Sequence, residues 1–210
     1  MTRPCLLFDL DGTLVDSLPD LTGAVNLLRA DLGLGPLSQA KVRLCVGDGA
    51  TLLVRRALPA ESFSAEKLAR FLDYYQQHLC ERTRPYPGIP AMLAGLATYP
   101  LAVVTNKPER MAIRLLEELS LAGYFQVILG GDSCPTKKPH PAPLLKALQL
   151  LQGAPEKSLM IGDHHTDLGS AKAAGIAACF CTWGYGNPGD ETPDFSVRSV
   201  TELGCLLATR

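Results

Sequence analysis

The 210-residue sequence predicts an α/β fold, a doubly wound parallel sheet with a small helical segment inserted after its first strand. Three observations carry that reading. From Arg84 onward, short and continuously apolar runs alternate with helix-period segments, as expected for strands covered on both faces by crossover helices. The first apolar run, residues 5–10, leads into the carboxylates Asp9 and Asp11 and the turn residue Gly12. Residues 16–84 break the rhythm with helical patterns alone.

In chain order, the first strand occupies residues 5–10. Leu18, Leu21, Val25, Leu28 and Leu32 then recur at helical spacing, with Pro19 where a first-turn proline is tolerated and Gly33 and Gly35 ending the run. Shorter helical stretches fill 38–45 and 50–58, and a longer helix starts near Ser64 with Leu68, Phe71, Leu72, Tyr75 and Leu79 on one face. No strand pattern is visible between 16 and 84. Beyond it, strands are expected at 101–105, 126–130, 158–162 and 177–182, and helices near 89–98, 109–119, 142–151 and 167–174. The expected division is a core of residues 1–15 and 85–210 and a helical cap of residues 16–84, hinged near 12–17 and 82–87. A cap inserted there lands above the carboxyl ends of the strands, where open α/β sheets bind ligands, so it reads as a lid.

A hydrophobic content of 47% suffices for a proper core. Lys and Arg number 20 against 21 Asp and Glu, giving a net charge of −1 with no basic block, so no field favours nucleic acid or an anionic membrane. No secretory pattern precedes Phe8 and no apolar run approaches the about 20 residues of a membrane span. The expected partner is a small molecule, the expected compartment is the cytoplasm, and monomer and homodimer both stay open. Seven cysteines, Cys5, Cys45, Cys80, Cys134, Cys179, Cys181 and Cys205, are scattered without a C-x-x-C pair and read as free thiols. Cys179 and Cys181, two apart on one strand, could also bridge or bind metal.

Carboxylates spaced i, i+2 at a strand end project to one face. Asp9 and Asp11 are then either compensated by a divalent cation or are turn residues ahead of Gly12. Three further segments favour the cation. The second strand ends in Thr105-Asn106-Lys107-Pro108, the third is followed by Lys137-Lys138-Pro139-His140, and the fourth ends in Gly162-Asp163-His164-His165-Thr166-Asp167. Parallel strands deliver all four to one edge. Carboxylates for a hard cation, a hydroxyl and backbone N–H groups at a helix start for phosphate oxygens, and a lysine for residual charge make a phosphoryl-transfer site.

These segments resemble the four motifs of the haloacid dehalogenase superfamily: D-x-D-G-T at residues 9–13, a strand-end hydroxyl at Thr105, a lysine at Lys138, and G-D-x-x-x-D at residues 162–167. Asp11 resembles the phosphatase and phosphomutase branches, since the dehalogenases lack that acid and the ion-pumping ATPases carry Thr. Residues 16–21, 46–50, 86–88, 105–110 and 130–133 further resemble the bacterial phosphoglycolate phosphatases. The resemblance implies Mg²⁺ held by Asp9, Asp163 and the backbone carbonyl of Asp11, with Asp167 reaching the ion through water or orienting Lys138. It implies Asp9 as the nucleophile that forms an aspartyl-phosphate and Asp11 as general acid and base. Thr105, the Asn106 backbone N–H and Lys138 would hold the phosphoryl oxygens. The expected substrate is a small phosphorylated metabolite, 2-phosphoglycolate. A sugar-phosphate phosphatase or phosphomutase is the alternative, and a non-catalytic binding protein is a third reading.

Several residues keep two readings. The Gly47-Asp48-Gly49 segment is an ordinary turn or, as the family implies, the substrate-specificity loop. His164 and His165 stand where the family usually has a small residue, commonly serine; they point to solvent, or one is an outer-sphere partner of metal or phosphate. Lys137 is expected as a solvated companion of Lys138. Arg43, Arg55 and Arg56 form a solvated helix face or meet a substrate carboxylate, and Asp16 and Ser17 cap the first helix or serve the hinge.

Overall fold

The computed structural model describes residues 4–209; residues 1–3 and 210 of the expected core lie outside them. Strand β1 (Leu6–Phe8) is followed by the two-residue strand β2 (Val15–Asp16), whose antiparallel partner β3 (Arg84–Pro85) closes a helical insert. Then come β4 (Leu101–Val104), β5 (Val127–Leu129), β6 (Leu159–Gly162), β7 (Ala177–Cys181) and β8 (Phe195–Val197). With β1 they make a six-stranded parallel sheet in the order β5-β4-β1-β6-β7-β8. The chain runs outward from β1 through β4 to β5, then crosses back to β6. The carboxyl ends of β4, β1 and β6 therefore flank the topological switch point, where a crevice opens for ligand.

The insert consists of α1 (Leu18–Asp31), α2 (Gln39–Arg43), α3 (Ala50–Ala57) and α4 (Ala65–Gln77). Helix α1 buries Leu21, Val25 and Leu28. Ser64 caps α4 by accepting the Lys67 N–H at 3.2 Å, and α4 buries Phe71 and Tyr75 with their rings stacked 6.0 Å apart. Asp20, buried near the start of α1, ties the two ends of the insert together. It accepts the Arg82 N–H at 2.9 Å and the Thr83 N–H and hydroxyl, each at 2.8 Å. Burial alone would raise this carboxyl, but the donors of Arg82 and Thr83 hold it below its usual value. Against the expectation of no strand between 16 and 84, Asp16 and Arg84 pair across the neck; two residues are too few to show a period-2 pattern.

Register places like against like in the sheet: Leu6 lies opposite Leu101 and Leu159, and Phe8 opposite Val103 and Ile161. These residues face one apolar cluster, with α5 (Ile89–Gly95), α6 (Glu109–Glu118) and the insert. Leu7, Ala102, Val104 and Met160 face the other, with α7 (Ala142–Leu151) and α8 (His165–Ala174). Both faces are covered, which is why β1, β4, β5, β6 and β7 carry no charged or hydroxyl side chain. Helix α8 starts two residues earlier than expected because the His164 side chain provides its N-cap. Strand β8 and the final helix, α9 (Val200–Ala208), were not expected; β8 has three residues and follows a stretch rich in Gly, Pro and Asp. Cys45, Cys80, Cys134, Cys179, Cys181 and Cys205 are free thiols. Among the described residues no helix is long and apolar enough to cross a membrane.

Candidate active site

The floor of the crevice begins where β1 ends. The Asp9 N–H extends the ladder to the Ile161 carbonyl at 2.9 Å, and the chain then turns at Gly12, φ 88°. A Cβ on Gly12 would strike the Asp163 carboxylate, so the turn needs glycine for both its backbone angle and its clearance. Asp163 is gripped from two sides. Thr13 donates its hydroxyl to Oδ1 at 2.9 Å, and the Tyr185 and Gly186 N–H groups donate to Oδ2 at 2.7 and 3.0 Å. Lys138, with a side chain 1% exposed, donates to Asp9 Oδ1 at 2.9 Å and Asp167 Oδ1 at 2.6 Å. Asp167 Oδ2 in turn accepts the His164 N–H at 3.0 Å.

Asp9, Asp163 and Asp167 thus bring one carboxylate oxygen each within 4.8 Å of the others, all buried. Burial pushes Asp9 up to about 6, with Lys138 opposing and Asp167 adding to the rise. Burial and the neighbouring Asp9 push Asp163 up to about 7. Burial works against the Lys138 charge, but Asp167 and Asp9 hold the ammonium above its usual range. Three buried carboxylates share one ammonium, and an all-oxygen donor set short of positive charge fits a hard divalent cation.

Beside this cluster, the Thr105 N–H donates to the Leu129 carbonyl at 3.0 Å, which fixes the end of β4 immediately before α6. Asn106 Nδ2 donates to the Lys138 carbonyl at 3.0 Å and to the Gly47 carbonyl at 3.1 Å, so one amide links the two loops to the strand end. Its buried Oδ1 has no hydrogen-bond partner. Asp9, Asp11, Thr105, Asn106 and Lys107 border a cavity with about 50 Å³ open to the centre of a water molecule. Val46, Leu53, Phe71, Leu72 and Tyr75 of the insert roof it.

The family described as Haloacid dehalogenase-like hydrolase matches residues 6–181. The chain belongs to this family. It is 42% identical over 209 residues to a phosphoglycolate phosphatase of Chromobacterium violaceum, covering 95% of this chain and 94% of that one. It is 44% identical over 211 residues to a phosphoglycolate phosphatase of Neisseria meningitidis, covering 93% and 90%. Among solved structures, a protein described as a predicted phosphoglycolate phosphatase from Haemophilus somnus superposes with a TM-score of 0.89 at 32% identity, covering 100% and 99%.

In this haloacid dehalogenase-like chain, Asp9, Lys138, Asp163 and Asp167 come together, with Thr105 and Asn106 on the adjoining cavity wall. The Asp11 carboxylate lies outside the acidic trio. It accepts from Lys107 Nζ at 2.9 and 3.0 Å and from the Ser17 hydroxyl at 2.5 Å. Ser17 therefore serves Asp11 rather than capping α1, while Asp16 Oδ1 accepts the Leu18 N–H at 3.2 Å. Gly47 and Gly49 line the cavity, and a Cβ on Gly47 would strike the His164 ring. His164 is buried, not solvent-facing; burial and the adjacent His165 push its imidazole down to about 4. Lys137 is not a solvated companion either, since its Nζ donates to the Asp48 carbonyl at 2.6 Å. Arg43 donates to the Gly184 and Tyr185 carbonyls, Arg55 lies over the Phe63 ring, and Arg56 pairs with Asp48.

Sequence reasoning passed over Lys107 and the hydroxyl of Tyr75. Lys107 is 2% exposed in its side chain, and its Nζ donates to Tyr75 Oη at 2.6 Å as well as to Asp11. Burial alone would discharge it, but Asp11 and Tyr75 hold the ammonium above its usual value. The available signal was spacing: Lys107 follows Thr105 at i+2, as Asp11 follows Asp9.

Proposed function

We propose that this phosphoric monoester hydrolase acts on a small acidic phosphoester, 2-phosphoglycolate, and releases glycolate and phosphate. The observation that carries the choice of substrate is Lys107. It is a buried ammonium bordering a small cavity, paired with Asp11 and separate from Lys138, which is tied to Asp9 and Asp167. A leaving group that brings its own carboxylate can exchange with Asp11 on this cation under the apolar roof, and an uncharged one cannot. Tyr75, which binds the same ammonium from above, places a hydroxyl at that point. The names of the relatives from Chromobacterium and Neisseria support the same substrate.

In this reading an Asp9 carboxylate oxygen attacks phosphorus in line, forming an aspartyl-phosphate as the glycolate alkoxide leaves. In the substrate complex the glycolate carboxylate takes Lys107 from Asp11, which picks up a proton from solvent and gives it to the leaving alkoxide, then takes one from the water that attacks the phosphoenzyme and regenerates Asp9. Thr105, the Asn106 N–H and Lys138 hold the phosphoryl oxygens, and Asp167 orients Lys138. Asp9 and Asp163, with the Asp11 carbonyl, would hold Mg²⁺, which supplies charge neutralisation at the transferring group. Residues 16–84 act as a lid that excludes bulk water. The test is phosphate release across acidic, sugar and nucleotide phosphomonoesters, with 2-phosphoglycolate expected to give the highest kcat/KM. A sugar phosphate or nucleotide better by more than about tenfold overturns the substrate.

A further inference from the structure

Beside the acidic trio, a second set of ligand-bearing side chains meets at the seam between insert and sheet. Asp48 comes from the loop before α3, and His164 and His165 come from the start of α8. One ligand atom of each lies within 4.8 Å of the other two. His165 Nε2 is 3.4 Å from Asp48 Oδ1, close to the edge of about 3.3 Å that tetrahedral bonds to zinc imply. The two imidazole rings lie 4.2 Å apart, centre to centre.

Each side chain is braced. Arg56 takes Asp48 Oδ2 at 2.6 Å and leaves Oδ1 toward His165. Lys137 fixes the Asp48 carbonyl, which holds the loop in place. Nδ1 of His164, which caps α8 by accepting the Thr166 N–H at 3.4 Å, also lies 3.2 Å from the Thr166 hydroxyl, and Nε2 is turned toward Gly47. Ligation through Nε2 selects the tautomer whose Nδ1–H donates to that hydroxyl, at the expense of the long cap bond, and a donating distal nitrogen is the arrangement that orients a ligating imidazole. Two imidazoles and one carboxylate form an N₂O set that suits Zn²⁺, Co²⁺ or Ni²⁺ and is a poor match for Mg²⁺.

We propose that Asp48, His164 and His165 form a second metal site, for a borderline divalent cation such as Zn²⁺, that fastens the insert to the sheet. Asp48 sits between Gly47 and Gly49 at the wall of the cavity, so an ion there immobilises that loop and slows exchange of substrate and product. Zn²⁺ then inhibits an enzyme already saturated with Mg²⁺.

The probe is Co²⁺, titrated into the whole protein in excess Mg²⁺ and followed by its visible absorption. One Co²⁺ is expected to bind, to be displaced by Zn²⁺, and to bind equally to Asp9→Asn. His165→Ala and Asp48→Asn should each weaken it by at least about tenfold, about 1.4 kcal/mol. The His165 side chain is 41% exposed, so His165→Ala should keep the fold, turn over like the parent with Mg²⁺ and escape Zn²⁺ inhibition. Co²⁺ binding that Mg²⁺ abolishes, that depends on Asp9, or that is indifferent to His165→Ala and Asp48→Asn overturns the site.

Discussion

Below the cavity, Asp9, Asp163, Asp167 and Lys138 hold one another and their neighbours through bonds of 2.6 to 3.0 Å. Above it, Val46, Leu53, Phe71 and Leu72 offer apolar surface and Tyr75 adds a hydroxyl. The floor is electrostatically crowded, with carboxyls driven upward by burial and by each other. Such a cluster is costly to fold and ready to bind a cation, whereas the roof stabilises by burial and selects by shape. Floor substitutions should therefore damage every substrate alike, and substitutions where the roof meets Lys107 should change the ranking of substrates.

The largest expected effect is at the floor. Asp9→Asn should lower kcat by about 10⁴-fold or more for all phosphoesters, and rapid quenching should trap no phosphoenzyme. Labelled phosphate recovered on another residue would remove Asp9 from its role. Lys107→Met sharpens the contrast: losing its hold on Asp11 should slow both substrates, and kcat/KM should fall about tenfold or more further for 2-phosphoglycolate than for ethyl phosphate, which lacks the carboxylate. Equal losses on both substrates would leave Lys107 only its hold on Asp11.

A third measurement concerns the floor without its cation. Asp9 and Asp163 have folded values of about 6 and about 7, both above the 3.8 of the unfolded chain. Raised carboxyls favour folding when protonated, so their contribution is complete below about 3.8 and is lost as pH rises through 6 and 7. In chelator, the denaturation midpoint should drop between pH 4.5 and 7.5, and Mg²⁺ should restore it at the upper pH. Equal midpoints with and without Mg²⁺ at pH 7.5 would mean the trio holds no cation. The smallest effect belongs to Tyr75→Phe, which removes one hydroxyl from Lys107 and should cost about 0.5–1 kcal/mol, a loss of about two- to fivefold confined to the acidic substrate.

The same contrast explains what could be read from the chain. Asp9, Thr105 and Asp163 are polar residues that interrupt apolar runs, and an interruption at a strand end is visible without coordinates. Lys138 was legible only through its place in the motif series. Lys107, in contrast, precedes Pro108 and a helix, where a lysine ordinarily points to water; only the approach of α4 from 32 residues away buries it. Tyr75 was legible as a buried ring, because periodicity reports a face, and its hydroxyl was invisible for the same reason. The sequence alone does not choose between the two readings of His164, since the loop that covers it, at Gly47, lies in the other part of the chain. Edge strand β8 is too short to carry a pattern, and α9 follows it.

The neck of the insert carries a mechanical consequence. The chain leaves the sheet through Val15–Asp16 and returns through Arg84–Pro85, paired residue for residue, and Asp20 staples the returning segment to the departing helix. Two tethers bound side by side cannot stretch or twist apart separately. The neck then acts like the spine of a book, limiting any swing of the insert to one angle, while the Asn106–Gly47, Lys137–Asp48 and Arg43–Gly184 bonds across the seam hold it closed. Opening must break those bonds and carry residues 46–49 farther from the sheet than Asp16, so two pairs of distance labels placed across the seam should lengthen and shorten in step during turnover. Independent changes in the two distances would mean the spine is broken.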